Sequence, residues 1–250
     1  MATVKEFMTR DPANLALGSK VSDAVKIMAE KNIGSIIVVA NGKPKGILTE
    51  RDILDKVVNA ERNPETTRVA DVMSTSIAVV DSDAPLKEAA KTMTSEKARL
   101  VILEKGKPVG IVTATDIVRE IHLERSAFDP STTISRRIIT VPTDTSVRDV
   151  VGIMSKRRVG SVIVTRNGKP CGIFTERDLV KRVLSPRKSL DTPIDDVATR
   201  KLIIARAGTD GKGAASIMAS SHIKRLLLLK GDEMAGIITA RDLVEAYAVS

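Results

Sequence analysis

Four times in 250 residues the chain writes one seven-residue figure: a glycine, two apolar residues, a threonine, two variable residues and an aspartate. The copies are anchored by Gly46, Thr49 and Asp52, by Gly110, Thr113 and Asp116, by Gly172, Thr175 and Asp178, and by Gly236, Thr239 and Asp242. Successive figures begin 64, 62 and 64 residues apart. A fixed period of this size marks one supersecondary unit repeated along the chain, each copy burying its apolar face against a neighbour. Met28, Met93, Met154 and Met218 recur at one place in the copies, as core residues of a helix would. A sequence given over to one small repeated unit is expected to bind and report, not to catalyse.

The copies fall into two kinds. Copies one and three carry Gly34-Ser35 and Gly160-Ser161 before an apolar run, then Asn-Gly-Lys-Pro at 41–44 and 167–170, then Thr-Glu-Arg-Asp. Copies two and four put Arg99 and Arg225 where the serines stand, the latter preceded by Lys224. Matched positions lie 126 residues apart, so the evolutionary unit is a duplicated pair. The expected domains are 1–125, with repeats at about 1–61 and 66–125, and 126–250, with repeats at about 132–187 and 191–250. The Pro- and Ser-containing stretch Glu124–Thr133 reads as the join.

Each copy reads βαββα, an α/β (α+β) unit. The runs at 36–39, 100–103, 162–164 and 226–229 are short, apolar and bounded by Gly or charge, as buried strands are. Gly42 and Gly168 turn the chain into a second strand as a hairpin. Before them Val21, Val25 and Met28 fall on one helical face. In copy four the helix contains Gly211 and Gly213, and is expected to start late or fray, because an interior Gly costs about 1 kcal/mol relative to Ala.

The figure, its βαββα frame and the pairing of copies resemble the CBS domain, named after cystathionine beta-synthase, over nearly the whole chain. The resemblance implies copies packed in pairs with pseudo-twofold symmetry, two clefts to a pair, many of which hold adenosine nucleotides. It implies a non-catalytic sensor of AMP, ADP or ATP acting through a separate, regulated protein, with adenine nucleotide as regulatory ligand and no required cofactor. It places ribose on Asp52, Asp116, Asp178 and Asp242, phosphate on Thr49, Thr113, Thr175 and Thr239, and positive charge on Arg99, Lys224 and Arg225. Asp52 would meet Arg99, and Asp178 would meet Lys224 and Arg225; Asp116 would face Gly34 and Ser35, and Asp242 would face Gly160 and Ser161. The Asp178 cleft is expected to bind best. Two modules in one chain imply a disk closed within the monomer, or a homodimer. The residues Ser135 to Ile139 depart from the opening seen at Val4 to Met8 and Val69 to Met73.

The residues support a ligand reading on their own terms. A carboxylate offers two acceptors to the paired donors of a cis-diol, and a threonine at a helix start stands beside unspent backbone N–H groups. The plain alternative is a helix cap, Thr as N-cap and Asp in the first turn, and the two readings are compatible. Arg51 and Arg177 are expected to face solvent or a partner chain. His122 and His222 lack a second ligand at metal spacing, and Cys171 reads as a packed small residue. No phosphate-binding loop or nucleophile elbow is present, since Gly208 to Gly213 has neither the spacing nor the preceding strand.

Charge adds one asymmetry. Residues 1–125 hold 19 Lys and Arg against 18 Asp and Glu, whereas 126–250 hold 21 against 13. A basic half points to a polyanion, either nucleotide phosphates or, as the competing reading, nucleic acid. Aromatic residues are only 2% of the chain, so platforms for base stacking are scarce. No apolar run reaches the length of a membrane span and the first residues lack a signal-peptide core. With one cysteine, a cytoplasmic chain is expected; the absence of Gln beside plentiful Lys, Arg and Glu leans towards a thermophile.

Overall fold

A computed structural model describes residues 2–96, 98–121 and 138–250. The join at Glu124–Thr133, His122, and the departure from the opening pattern at Ser135–Arg137 lie outside the described residues. The chain begins with helix α1 (Val4–Phe7) and strand β1 (Thr9–Arg10). Copy one follows as β2 (Asn14–Ala16), α2 (Val21–Lys31), β3 (Ser35–Ala40), β4 (Lys43–Thr49) and α3 (Glu50–Ile53). Copy two is β5 (Ala78–Val79), α4 (Leu86–Ser95), β6 (Leu100–Glu104), β7 (Lys107–Val112) and α5 (Ala114–Ile121). Copy three is β8 (Thr140–Pro142), α6 (Val147–Arg157), β9 (Ser161–Arg166), β10 (Lys169–Thr175) and α7 (Glu176–Asp178). Copy four is β11 (Ile204–Arg206), α8 (Gly211–Ser221), β12 (Arg225–Lys230), β13 (Glu233–Thr239) and α9 (Ala240–Val249). After α3 and α7 the chain continues as π-helix over Leu54–Val58 and Leu179–Leu184.

Every copy is thus βαββα, and its sheet is built one way. The first strand pairs in parallel with the second, across the helix, and the second pairs antiparallel with the third. The hairpins of copies one and three turn through Asn41-Gly42 and Asn167-Gly168, all four residues at positive φ. Two left-handed residues make the tight turn whose twist matches the strands it joins, and Asn-Gly tolerates it best. Along the copy-one helix Val21, Ala24, Val25 and Met28 are buried, and the four repeated methionines are core residues. Helix α8 begins on time at Gly211, contrary to expectation: Asp210 caps it, its Oδ1 accepting from the Gly213 amide at 2.6 Å. Both glycines stand in the first turn, where the cap and not helix propensity sets the boundary.

The contacts divide the chain into two compact units that interleave along the sequence. Unit 1 comprises Met1–Pro12, Ile77–Ile138 and Ile203–Ser250, and unit 2 comprises Ala13–Ser76 and Ile139–Leu202. Each unit has its own apolar core. Copies two and four therefore share unit 1, while copies one and three share unit 2, so the units cut across the halves 1–125 and 126–250.

The segments that open copies one, two and four each pack on a different copy. In unit 1, α1 and β1, which open copy one, lie on copy two, with Thr9 opposite Ile111 and Arg10 opposite Gly110. In unit 2 the opener of copy two exchanges backbone hydrogen bonds with copy one, Ile47 N to Ser74 O at 2.8 Å and Ser74 N to Ile47 O at 2.9 Å. The opener of copy four does the same to copy three, through Ile173 and Thr199 at 2.9 and 2.8 Å. These visits explain the first residue of the repeated figure. A Cβ on Gly46 would lie 2.6 Å from both the Met73 sulfur and the Ser74 carbonyl oxygen, and one on Gly110 would strike the Met8 sulfur. At Gly172 it would come within 3.2 Å of the Thr199 carbonyl.

Candidate functional site

The Thr-x-x-Asp motif sits where the third strand of each copy turns into its last helix. In copy one, Thr49 is the N-cap of α3: its Oγ1 accepts from the Asp52 amide at 3.1 Å, while Asp52 Oδ2 accepts from the Thr49 amide at 2.9 Å and the Thr49 hydroxyl at 2.6 Å. Copy three repeats this through Thr175 and Asp178 at 3.2, 2.9 and 2.7 Å. In copy two the Thr113 amide and hydroxyl donate to Asp116 Oδ2 at 2.8 and 2.7 Å. In copy four the Thr239 amide donates to Asp242 Oδ2 at 2.7 Å, and Thr239 Oγ1 accepts from the Asp242 amide at 3.3 Å. The cap reading of the motif is therefore realised in copies one, three and four.

This geometry decides what the side chains have left to give. Where Oδ2 accepts both the amide and the hydroxyl, its lone pairs are spent, and the hydroxyl hydrogen is committed to the carboxylate. Any new donor must then find Oδ1. In copy three Oδ1 already accepts from Arg182 Nε at 3.2 Å and the Thr199 hydroxyl at 3.0 Å. In copy one it holds Lys56 Nζ at 2.7 Å, leaving one lone pair. In copy two the nearest cation is Arg119 at 4.0 Å, too long for a hydrogen bond. Asp242 has no Oδ1 partner among the described residues. Burial, as the largest effect, raises the Asp242 carboxyl above its ordinary value; bonds from Thr239 and the charge of Arg241 oppose the rise, and Glu245 adds to it.

The residue at the start of the second strand, or just before it in copy two, lies beside the same copy's threonine. Ser35 is opposite Thr49, Ser161 opposite Thr175 and Arg225 opposite Thr239. Leu100 opposite Val112 brings Arg99 beside Thr113. Opposed residues of an antiparallel pair share a face of the sheet. Copies two and four therefore gather Arg99, Thr113 and Asp116, and Lys224, Arg225, Thr239 and Asp242, on single copies. In copies one and three the neighbours are uncharged: the carbonyls of Gly34 and Gly160 accept from the Glu50 and Glu176 amides, both at 3.2 Å.

The arginines inside Thr-Glu-Arg-Asp, expected to face solvent or a partner chain, form ion pairs within the chain. They cross between copies one and three within unit 2: Arg51 Nε meets Glu176 at 2.9 Å and Arg177 Nε meets Glu50 at 3.0 Å. The glutamate side chains are 16% and 8% exposed and the arginines about 30%. Gly34 belongs to this contact, since a Cβ there would lie 2.7 Å from Glu50 Oε2 and 3.2 Å from Arg177 Nη2. Copies two and four have Ala114 and Ala240 in place of the glutamates, and α5 packs on α9 directly. The reciprocal Glu-Arg order in two copies 126 residues apart was the available signal for this quartet.

Two further residues have structural places. His222 takes the left-handed position at the end of α8, and Cys171 is half-buried, packed on the core of unit 2 with its Sγ 3.4 Å from the Val164 carbonyl. No helix among the described residues is long and apolar enough to cross a membrane, and no group of three or more potential metal ligands is found among them.

The CBS domain family model matches residues 4–59, 69–123, 132–185 and 194–249, and the chain belongs to that family. The first, second and fourth matches begin with the openers that pack on another copy. An uncharacterized protein of Methanocaldococcus jannaschii, MJ1404, is 27% identical over 98% of this chain, which spans 62% of its length. The crystal structure of MJ1225 from the same organism, proposed as an archaeal homologue of g-AMPK, superposes with a TM-score of 0.81 at 20% identity, covering 98% of this chain and 99% of that one. An uncharacterized conserved protein from Pyrococcus horikoshii gives 0.68 at 24% identity, covering 98% and 100%. These likenesses establish the fold.

Proposed function

We propose that the chain is a non-catalytic regulatory protein that binds adenine nucleotides and reports their occupancy to a separate protein. Four CBS domains, and a structural neighbour proposed as a homologue of g-AMPK, support this reading. The observation that carries the assignment of the site is the state of the four carboxylates. Asp116 and Asp242 keep Oδ1 available for a ribose hydroxyl and stand on copies that also hold Arg99 or Lys224 and Arg225. Asp52 has one lone pair left, and Asp178 accepts a hydroxyl only by releasing Arg182 or Thr199. The reading therefore favours copies two and four as the first to fill, with Asp52 next and Asp178 last.

Charge points the same way, since Lys224 and Arg225 stand on the copy that carries Asp242. A charge-assisted contact to phosphate contributes roughly 1.5–3 kcal/mol, about ten- to a hundredfold in affinity. Titration calorimetry with AMP, ADP, ATP and an S-adenosyl compound tests the proposal, and no heat with any of them overturns it. Nucleic acid is the competing ligand: backbone binding falls steeply with salt, whereas nucleotide held in a pocket loses less.

A further inference from the structure

We propose that unit 2 holds a second small-molecule site, apart from the Thr-x-x-Asp motifs, that takes an aliphatic α-amino acid as its zwitterion in a cavity opened by Gly152. The cavity, about 470 Å³, lies between the end of the copy-one π-helix and helix α6 of copy three. Gly152 is an interior residue of α6, where glycine weakens a helix relative to alanine. Nothing in the packing asks for it. A Cβ built at Gly152 meets no atom within 4 Å, in contrast to Gly46 and Gly172, whose Cβ would meet the visiting backbone. The copy-one counterpart, 126 residues earlier, is Lys26. The two helices are otherwise held alike: Ser22 N donates to Pro64 O at 3.1 Å and Arg148 N to Leu190 O at 2.8 Å. What glycine supplies here is room.

The lining selects the ligand. Val58 and Val151 form a buried apolar floor. Two of the charges around it are committed, Arg148 to Asp191 at 3.2 Å and Asp149 to the Ser146 hydroxyl at 2.7 Å. The Lys156 ammonium and the Glu61 carboxylate have no side-chain partner among the described residues. One uncommitted cation and one uncommitted anion over an apolar floor are complementary to a molecule carrying a carboxylate, an ammonium and an aliphatic side chain. The π-turn that supplies Val58 is a local geometry common at ligand sites.

The test uses the whole chain and does not depend on the nucleotide reading. Calorimetric titration with L-leucine, L-isoleucine and L-methionine is expected to give saturable binding. N-acetyl-L-leucine and L-leucinamide, each lacking one charge, are expected to bind about tenfold more weakly, as are Lys156→Gln and Glu61→Gln. Gly152→Lys, which installs the copy-one residue, is expected to abolish amino-acid binding while leaving the circular dichroism spectrum and any nucleotide binding unchanged. Should that variant fail to fold, Gly152→Ala is expected to raise the melting temperature and weaken binding. No binding of any of the three amino acids at millimolar concentration overturns the proposal. So does equal affinity in the Gly152 variants, and analogues that bind as well as leucine overturn the zwitterion assignment.

Discussion

The charge quartet of unit 2 is where a perturbation can be sized from the structure. Glu50→Gln keeps the shape of the side chain and removes the charge facing Arg177, leaving a guanidinium that is 29% exposed beside a neutral amide. Breaking a fully buried pair costs about 3–5 kcal/mol. With nearly a third of the arginine in water the cost is discounted to about 2 kcal/mol. At this chain length that corresponds to a fall in melting temperature of roughly 4–8 °C. A double-mutant cycle, Glu50→Gln with Arg177→Gln, followed by urea denaturation, isolates the pair. A coupling of about 1–2 kcal/mol is expected. The comparison pair is Lys5–Asp83 in unit 1, with side chains 52% and 70% exposed, where coupling is expected to stay below about 1 kcal/mol. Equal couplings at the two pairs would refute the reasoning, because burial would then contribute nothing. A cycle of Arg51→Gln with Glu176→Gln should repeat the larger value, since its geometry is the same to 0.1 Å.

Asparagine variants separate capping from ligand binding, because the amide oxygen still serves the helix cap while the outward oxygen becomes a donor: Asp242→Asn is expected to weaken the tightest nucleotide site at least tenfold, and Asp178→Asn to leave it within about threefold, by titration calorimetry. Equal losses would show that the outward oxygens do not rank the sites. The raised Asp242 carboxyl holds its proton more tightly folded than unfolded, so stability should fall as pH rises from the ordinary carboxylate value to the raised one, and Asp242→Asn should flatten that slope in denaturation series. A ribose hydroxyl needs the ionised form, so nucleotide affinity should drop as pH falls through the raised value, with proton release visible in buffers of different ionisation enthalpy; a flat profile would exclude Asp242 as the acceptor. Gly46→Ala places its methyl 2.6 Å from the Ser74 carbonyl and should cost about 1–3 kcal/mol by calorimetry, whereas Gly152→Ala should stabilise by up to about 1 kcal/mol.

The period of the Gly, Thr and Asp figure carried the repeat, the βαββα order, the buried methionines and the family, because each rests on local pattern and on which side chains avoid water. Arg51 and Arg177 show where that reasoning stops: charged residues on a short exposed-looking turn, they find Glu176 and Glu50 more than 120 residues away, which no local pattern encodes. Gly211 and Gly213 show the reverse error, with helix propensity outweighed by a single aspartate cap. The motif glycines were visible as a repeat, but the reason for Gly46, Gly110 and Gly172, the opener of another copy passing at close range, exists only in the folded chain. The carboxylates are a mixed case, since Lys56 and Arg182 stand four residues after their aspartates while Thr199 comes from a more distant segment. Four identical Thr-x-x-Asp motifs differ in what Oδ1 can accept because Arg182, Thr199 and Lys56 reach two of them and only a distant Arg119 the third. The sequence by itself determined the copies and their chemistry, since secondary structure follows short-range periodicity. Which copies share a core and which sheets the openers visit were decided by tertiary packing, because the copies that share a core lie 126 residues apart in the chain and the described openers cross to strands outside their own copies.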